Sequence, residues 1–490
     1  MSPRWDVVVV GSGNAGFSAA LAAREQGASV LLLEKAPREW AGGNSYFTAG
    51  AMRTAHHGLA DLGPLIESDD RLARTDLDPY SARDFRADLV RVTRGRTDPM
   101  LADILVGESR EAMDWLHGKG IRFELMFHRQ AYQIGERFRF WGGLAVGVLG
   151  GGKGLVSQHL AAAHATGIEV RFGAAVTELI TDEHAGVTGV VVRTDEGVQR
   201  IEAGAVVLAS GGFEADPRMR AGYLGPGWDL ALVRGTPYNT GDGIRAALDL
   251  GAQSYGQWSG CHSVAWDAGA APTGNRELTN QLTRGGYPFG IVVNAAGERF
   301  VDEGADFRNY TYARYGAEIL RQPGGTAVQI FDAKVRHLLR PEEYESAQVS
   351  KIESDSLEGL AKGLGIDESG LVNTVGEFNE SITGDEFDPT IKDGKRTVGI
   401  SPAKSNWAQP IDTQPYVGFP VTCGITFTFG GVRIDPDARV LDTAGRAIPG
   451  LFAAGELVGG LFHFNYPGGS GLTAGSVFGR RAGRCAANPG

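Results

Sequence analysis

The sequence predicts an α/β protein. One domain is expected to be built from both ends of the chain, with a second domain inserted between them. Three observations predict this. Between Arg4 and Lys35 an apolar strand, a glycine turn, a helix, a second strand and an acid follow in order. The tail returns to that rhythm, with Gly450–Glu456 as a strand ending in a Gly-Glu turn and Gly468–Leu472 opening a helix of small residues. The stretch 256–424 lacks the rhythm and scatters Trp, Pro and charged segments. The expected division is 1–255 and 425–490 for the first domain and 256–424 for the insert.

Asp6–Val10 is a β-branched run suited to a strand buried on both faces. Gly11, Gly13 and Gly16 form G-x-G-x-x-G. The first allows the tight turn, the second lets backbone approach a pyrophosphate, and the third lets helix and strand pack closely. The helix runs from Asn14 through Ala15 to Gln26 and stops at Gly27. Its free N–H groups and partial positive charge suit phosphate. Ala28–Leu33 is the second strand. Glu34 at its end can accept ribose hydroxyls, and Lys35 follows. This fingerprint alone does not separate FAD from NAD.

The 490 residues allow two to four domains with a large core, and 42% hydrophobic residues with 72 glycines suit a globular α/β chain. A net charge of −11 argues against nonspecific nucleic-acid binding. No apolar run reaches membrane-span length. The expected location is cytoplasmic, with peripheral membrane contact through a redox partner left open. Cys261, Cys423 and Cys485 are widely spaced, so neither a haem-attachment nor an iron–sulfur pattern is present, and buried inert thiols are expected.

Trp40–Met52 is rich in Gly and small residues and either lies along a cofactor or forms a surface loop. Asp61–Asp98 reads as polar helix, and Pro99–His117 as an amphipathic one. Arg129, Arg137 and Arg139 stand among aromatics, to line an anion site or to sit exposed on a loop. Gly150–Gly154 opens a helix but lacks Walker A spacing. Glu169–Ile180, with Ala175 and Val176, and Val187–Val192 are expected strands. Val198–Ile201 is expected to pair back as a hairpin, and Ala205–Ala209 to form a separate strand leading to Ser210-Gly211-Gly212. Thr240-Gly241-Asp242-Gly243 precedes a helix.

Taken together, Gly11–Gly16 with Glu34, Gly43-Asn44-Ser45, Ala209–Phe213, Thr240–Gly243, and Ala454-Gly455-Glu456 with Ser470-Gly471-Leu472 resemble the fumarate reductase and succinate dehydrogenase flavoproteins. The resemblance implies FAD rather than NAD. It also implies a Rossmann-like, glutathione-reductase-like FAD-binding domain with an inserted α+β capping domain. Gly469 belongs to the same tail motif. Within that superfamily, Val293–Tyr312 and Phe462–Gly469 are most similar to FAD-dependent tricarballylate dehydrogenases.

Residue roles follow from the resemblance. Arg308 matches the arginine that moves the proton while the flavin takes the hydride, and Arg284 matches the arginine that feeds it. The family's acid beside that second arginine is Gln281 here, which puts the relay in doubt. The alternative for Arg308 is a carboxylate clamp or an interdomain salt bridge. Phe427 replaces a substrate-binding histidine, and Tyr466 follows Asn465 where an arginine is expected. Tyr466-Pro467-Gly468 is similar instead to 3-ketosteroid Δ1-dehydrogenases. There Tyr466 would donate to a carboxylate or carbonyl oxygen, or act as acid–base group if its pKa were lowered. His463 is a further candidate, for an anion.

The expected reaction is desaturation, or its reverse, of a C–C bond beside a carboxylate or carbonyl of a small molecule, tricarballylate to cis-aconitate being the specific case. The alternatives are a ketosteroid dehydrogenase, a fumarate reductase, a biosynthetic oxidase or monooxygenase, and a non-enzymatic flavin carrier. No second redox centre is expected in the chain, so electrons leave to oxygen, a quinone or a separate electron-transfer protein. No metal is expected. His56 and His57 carry no firm signature of covalent flavin attachment.

Overall fold

The computed structural model describes residues 4–488. In chain order, the elements that position the site are β1 (Trp5–Val10), α1 (Asn14–Glu25), β2 (Val30–Leu33), β3 (Glu169–Arg171), β4 (Val187–Thr194), β5 (Gly197–Leu208), β6 (Ser254–Asp267), β7 (Thr326–Phe331), β8 (Tyr416–Val432), β9 (Ala447–Ala453) and α2 (Ser470–Ala487).

The first sheet has the parallel order β9-β5-β1-β2-β3, with Arg439–Leu441 added antiparallel at the β9 edge. The central strand β1 is sequestered, with Val7, Val8 and Val9 at 0% exposure. Burying each such side chain stabilises the fold by about 1.5–3 kcal/mol. That explains why a run of valines reads as a two-sided buried strand.

The chain ends meet because α2 lies against α1. Glycines at i, i+4 and i+8 of α2 remove the side chains that would hold the helices apart. A Cβ on Gly479 would come 2.5 Å from the Ala15 carbonyl oxygen, and one on Gly483 2.0 Å from that of Ala19. The expected helix to Ala482 continues to Ala487 because Ala482 and Ala486 still bury against this core.

The hairpin and strand expected at 198–201 and 205–209 are one strand. β5 pairs antiparallel with β4 through Gly197–Glu202 and then parallel with β1 through Ala203–Leu208. A change of partner needs no break in an extended backbone, so the pattern looked like two strands. Conversely, Glu169–Ile180 divides into β3 and a strand Ala175–Thr181, separated by a turn with Gly173 at φ 63°. Asp61–Asp98 is helical only at Leu59–Leu62 and Ala82–Val92, apart from a single 3-10 turn, because the acids of this stretch pair locally rather than along one helix face.

The second sheet is organised on β8, with β6 and β7 antiparallel to it. Ile291–Val293 extends the sheet beyond β7. The β6–β8 ladder runs from Ser254 opposite Val432 to Asp267 opposite Val421, through both expected domain limits. A separate hydrophobic cluster around Ile291, Ile330, Leu360 and Phe378 lies entirely within 256–424.

Candidate active site

One large cavity lies where the Gly-rich turns of the first sheet face the second, enclosing about 1820 Å³, part of it open to solvent. Its lining runs from the Gly-rich turns and Glu34 to Arg129, Arg308 and Tyr466.

The turn fits a dinucleotide on structural grounds. A Cβ on Gly11 would lie 2.4 Å from the Ala209 carbonyl oxygen, and one on Gly16 1.9 Å from that of Gly11. Those two glycines are demanded by the chain itself. Gly13 is different. Its backbone is extended, its nearest neighbour to a Cβ is Ser45 Oγ at 3.5 Å, and it lines the cavity at the N-cap of α1. Its missing side chain leaves space for a ligand at a helix N-terminus, which suits phosphate. Asn14 N donates to Ser45 Oγ at 3.0 Å, and Asn14 Nδ2 reaches Ser476 Oγ and the Leu472 carbonyl of α2.

Glu34 faces the cavity and accepts from Ser12 N at 2.9 Å and Ala36 N at 2.8 Å. Lys35 Nζ pairs with Asp242 Oδ2 at 2.5 Å, and both line the wall. Asn44 donates to Glu214 Oε1 and to the Thr426 carbonyl, each at 2.6 Å. Gly43, Ser45, Ala15, Val176, Ser210, Gly211, Gly455, Glu456, Gly469, Gly471 and Leu472 also face the cavity. Ser210 Oγ is buried with no partner.

Four expected cofactor residues do not form the wall. Gly16 supports Gly11 from behind. Ala175 alternates with Ala174 and Val176, which face in. Gly212 is capped by Glu456 and Thr428. Ser470 turns away to bond the Pro467 carbonyl.

Glu456 on the wall forms a carboxyl pair with the fully buried Glu214 behind it. Burial pushes Glu214 well above its ordinary value, and the neighbouring Glu456 pushes it the same way. Burial raises Glu456 too. Two such groups cannot both ionise side by side, so the pair keeps a proton. Thr428 N and the two asparagines at 44 and 239 meet its remaining charge.

The opposite wall is basic and aromatic. Arg308 lines it, with Nη1 3.5 Å from Glu343 Oε2 and Nη2 donating to the Arg129 carbonyl at 3.2 Å. Arg129 lines it as well and pairs with Glu342 at 2.5 Å and Glu343 at 2.8 Å. Tyr466 and Tyr312 share a 2.5 Å hydroxyl–hydroxyl bond. The ring of His262 lies 4.9 Å from each tyrosine, and Phe427 stacks on Tyr466 at 6.1 Å. Burial pushes the Tyr466 hydroxyl well up, reinforced by Tyr312. The lowered pKa considered from sequence is thus reversed, and Tyr466 is a protonated donor.

Arg284 stands one link behind the wall. It is fully buried, pairs with Asp267 at 2.5 Å and donates to the carbonyl of Glu343. It therefore touches the wall through the backbone of Glu343. His463 is half-buried outside the cavity wall, because the chain turns at Phe464 (φ 62°) and directs Asn465 and Tyr466 inward.

Sequence reasoning missed Arg234, His262, Tyr312 and Glu343 as wall residues, and left Arg129 between two readings. Arg129 carried a signal, an arginine among aromatics, whereas Arg137 in the same stretch pairs with Asp76 at the surface. Glu343 carried none, since a Pro-Glu-Glu-Tyr turn is ordinary surface chemistry by composition.

Fold and wall together define a dinucleotide-binding protein with a basic, aromatic chamber facing its glycine cradle. The chain belongs to the FAD binding domain family, whose match spans residues 6–472. It is an FAD-dependent oxidoreductase. It is 31% identical to the fumarate reductase (cytochrome) of Shewanella frigidimarina, over 98% of this chain and 77% of that one. It is also 31% identical to the 4-oxocyclohexanecarboxylate 2-dehydrogenase of Sinomonas cyclohexanicum, over 96% of this chain and 91% of that one. The fold matches the crystal structure of 3-ketosteroid Δ1-dehydrogenase from Sterolibacterium denitrificans with TM-score 0.76 and 24% identity, covering 99% and 100% of the two chains. No helix among the described residues is long and apolar enough to cross a membrane.

Proposed function

We propose that this protein desaturates, or in reverse reduces, a C–C bond beside a carboxylate of a small polycarboxylic acid, with tricarballylate and cis-aconitate as the fitting pair. The observation that carries the reading is one shared wall. Arg308, Arg129 and Tyr466 line the same cavity as Gly13 and Glu456. Residues 256–424 act as a cap that brings Arg308 to the chamber.

FAD would be held by Gly13, Asn14, Glu34, Ser45 and Glu456 and would supply the two-electron hydride acceptor. The chain's own residues do the rest. Arg308 and Arg129 orient a substrate carboxylate and offset negative charge that builds on it during proton loss. Glu343 stands 3.5 Å from Arg308 and is the carboxylate that would receive the proton, the Arg308 guanidinium releasing one proton to it while taking one from the substrate, in place of the acid missing at Gln281. Tyr466 donates to the developing oxyanion, with Tyr312 fixing its hydroxyl. The stacked rings and the buried wall exclude water. Electrons leave to a separate protein or quinone; the printed name of the fumarate reductase (cytochrome) relative supports a haem protein as that partner.

Anaerobic mixing with tricarballylate tests the reading. The flavin is expected to be reduced, with cis-aconitate formed. No reduction by any di- or tricarboxylate would contradict it.

A second reading is favoured by the Tyr312–Tyr466 pair and by Phe427 in place of a basic residue. A phenol held by a second phenol suits a ketone oxygen. A substrate carrying both a ketone and a carboxylate would use the two walls. Faster flavin reduction by 4-oxocyclohexanecarboxylate than by tricarballylate would select this reading.

A further inference from the structure

Arg234 differs from the other buried arginines of the chamber. It precedes Gly235 at the end of the short strand Leu232–Val233, which pairs with β8 at Gly424 and Ile425. That places its side chain on the cavity wall, at only 7% exposure. Its partners are neutral. Nε donates to Thr283 Oγ1 at 3.1 Å and Nη1 to Thr426 Oγ1 at 3.0 Å. Among the described residues it makes no ion pair, whereas Arg129, Arg284 and Arg308 each face a carboxylate.

A guanidinium buried without a counter-charge is costly. Burial does push Arg234 down from its usual range. Two more polar atoms on the same wall are also orphaned. Asn280 Nδ2 and His262 Nε2 are buried with no partner. A donor set of this kind, one cation with unused N–H groups beside a neutral amide and an imidazole, is complementary to a carboxylate.

We infer that Arg234, with Asn280 and His262, is a second carboxylate clamp, distinct from the Arg129–Arg308 pair. This rests on the reading of the chamber as a polycarboxylate site and deepens it. The substrate carries at least two carboxylates. One meets arginines already neutralised by Glu342 and Glu343, and the other supplies the charge that Arg234 lacks. A monocarboxylate would leave Arg234 unmet and bind weakly. Arg234 thus sets specificity for the polyanion rather than taking part in bond breaking.

The test is calorimetric binding of tricarballylate, and of its terminal monoamide, to FAD-loaded protein. In the native protein, converting one terminal carboxylate to amide is expected to weaken binding by at least about 30-fold. In Arg234→Met, tricarballylate is expected to lose about the same factor and the amide to lose little further, with FAD content unchanged. Arg234→Lys keeps the charge without the fork and is expected to fall between the two. Tricarballylate affinity unchanged in Arg234→Met would overturn the clamp while leaving the proposed function standing. If that variant loses FAD, unchanged affinity in Arg234→Lys overturns it instead. Failure of native protein to bind any polycarboxylate would remove the proposed function, and the clamp with it.

Discussion

Arg308 Nη1 lies 3.5 Å from Oε2 of Glu343, and the other oxygen of that carboxylate is held by Arg129 Nη2 at 2.8 Å. Glu343 is wholly buried, so this one acid ties two guanidinia that reach the chamber from segments far apart in sequence. Arg129 lies just after β-structure of the first segment, and Arg308 lies in the expected cap. The contact is therefore both part of the active-site wall and part of the seam between the two segments.

Arg308→Ala is expected to retain bound FAD and lose about 10²–10⁴-fold in the rate of flavin reduction by substrate. The flavin cradle lies on the other wall, so cofactor content serves as the internal control. Stopped-flow absorbance measures both quantities on one sample.

Glu343→Gln removes the shared counter-charge, leaving Arg308 without an ion pair and Arg129 with Glu342 alone. Breaking a buried pair in this way costs about 3–5 kcal/mol. A lower unfolding midpoint is expected by calorimetry, with weaker substrate binding, because Arg129 and Arg308 lose the carboxylate that fixes their orientation. A midpoint equal to that of the native protein would show that the acid does not join the segments.

Two glycines of one turn are expected to respond differently. Gly16→Ala places a Cβ 1.9 Å from the Gly11 carbonyl oxygen and should prevent folding of the turn. Gly13→Ala meets nothing closer than 3.5 Å and should fold normally. It should still bind FAD roughly ten-fold more weakly, because the added methyl occupies the ligand's approach. Soluble yield and flavin titration separate the two cases.

Acid should loosen the cradle through His159. This side chain is fully buried, stacks on Phe17 at 5.2 Å and bonds Asn14 Oδ1 at 2.9 Å. Burial lowers it from 6.5 to about 3. Below pH 6.5 the unfolded chain binds a proton there that the folded chain refuses until about pH 3. Stability is therefore lost as pH falls through that window, by about 1.4 kcal/mol per pH unit once the unfolded group is protonated. His56, lowered to about 4, acts with the same sign. His159→Gln is expected to flatten the dependence of the unfolding midpoint between pH 6.5 and 4.

Much of this was legible in the chain because local chemistry dictated it. Val7–Val10 could only be a two-sided strand, and Gly11, Gly13 and Gly16 announced a turn whose crowding the structure now measures. The joining of the two ends was readable from the repeated cofactor-like turns. The chamber was less legible. Arg308 and Tyr466 were reached through resemblance, but Glu343, Arg234 and His262 come from turns and strands whose proximity depends on the β6–β8 ladder. Long-range pairing leaves no periodic trace in sequence. Ala175 and Ser470 were expected within runs whose neighbours Val176, Gly469 and Gly471 line the cavity, and the alternation of side-chain directions turns the two of them away from it.

A polycarboxylate is expected to reduce the flavin at the Arg308–Tyr466 wall. The most direct measurement is the visible absorbance of FAD-loaded protein after anaerobic addition of tricarballylate, in native protein and in Arg308→Ala side by side. Bleaching is expected in the native protein and a persistent oxidised spectrum in the variant. Equal bleaching in both, or none in either with every polycarboxylate and keto acid offered, would contradict it.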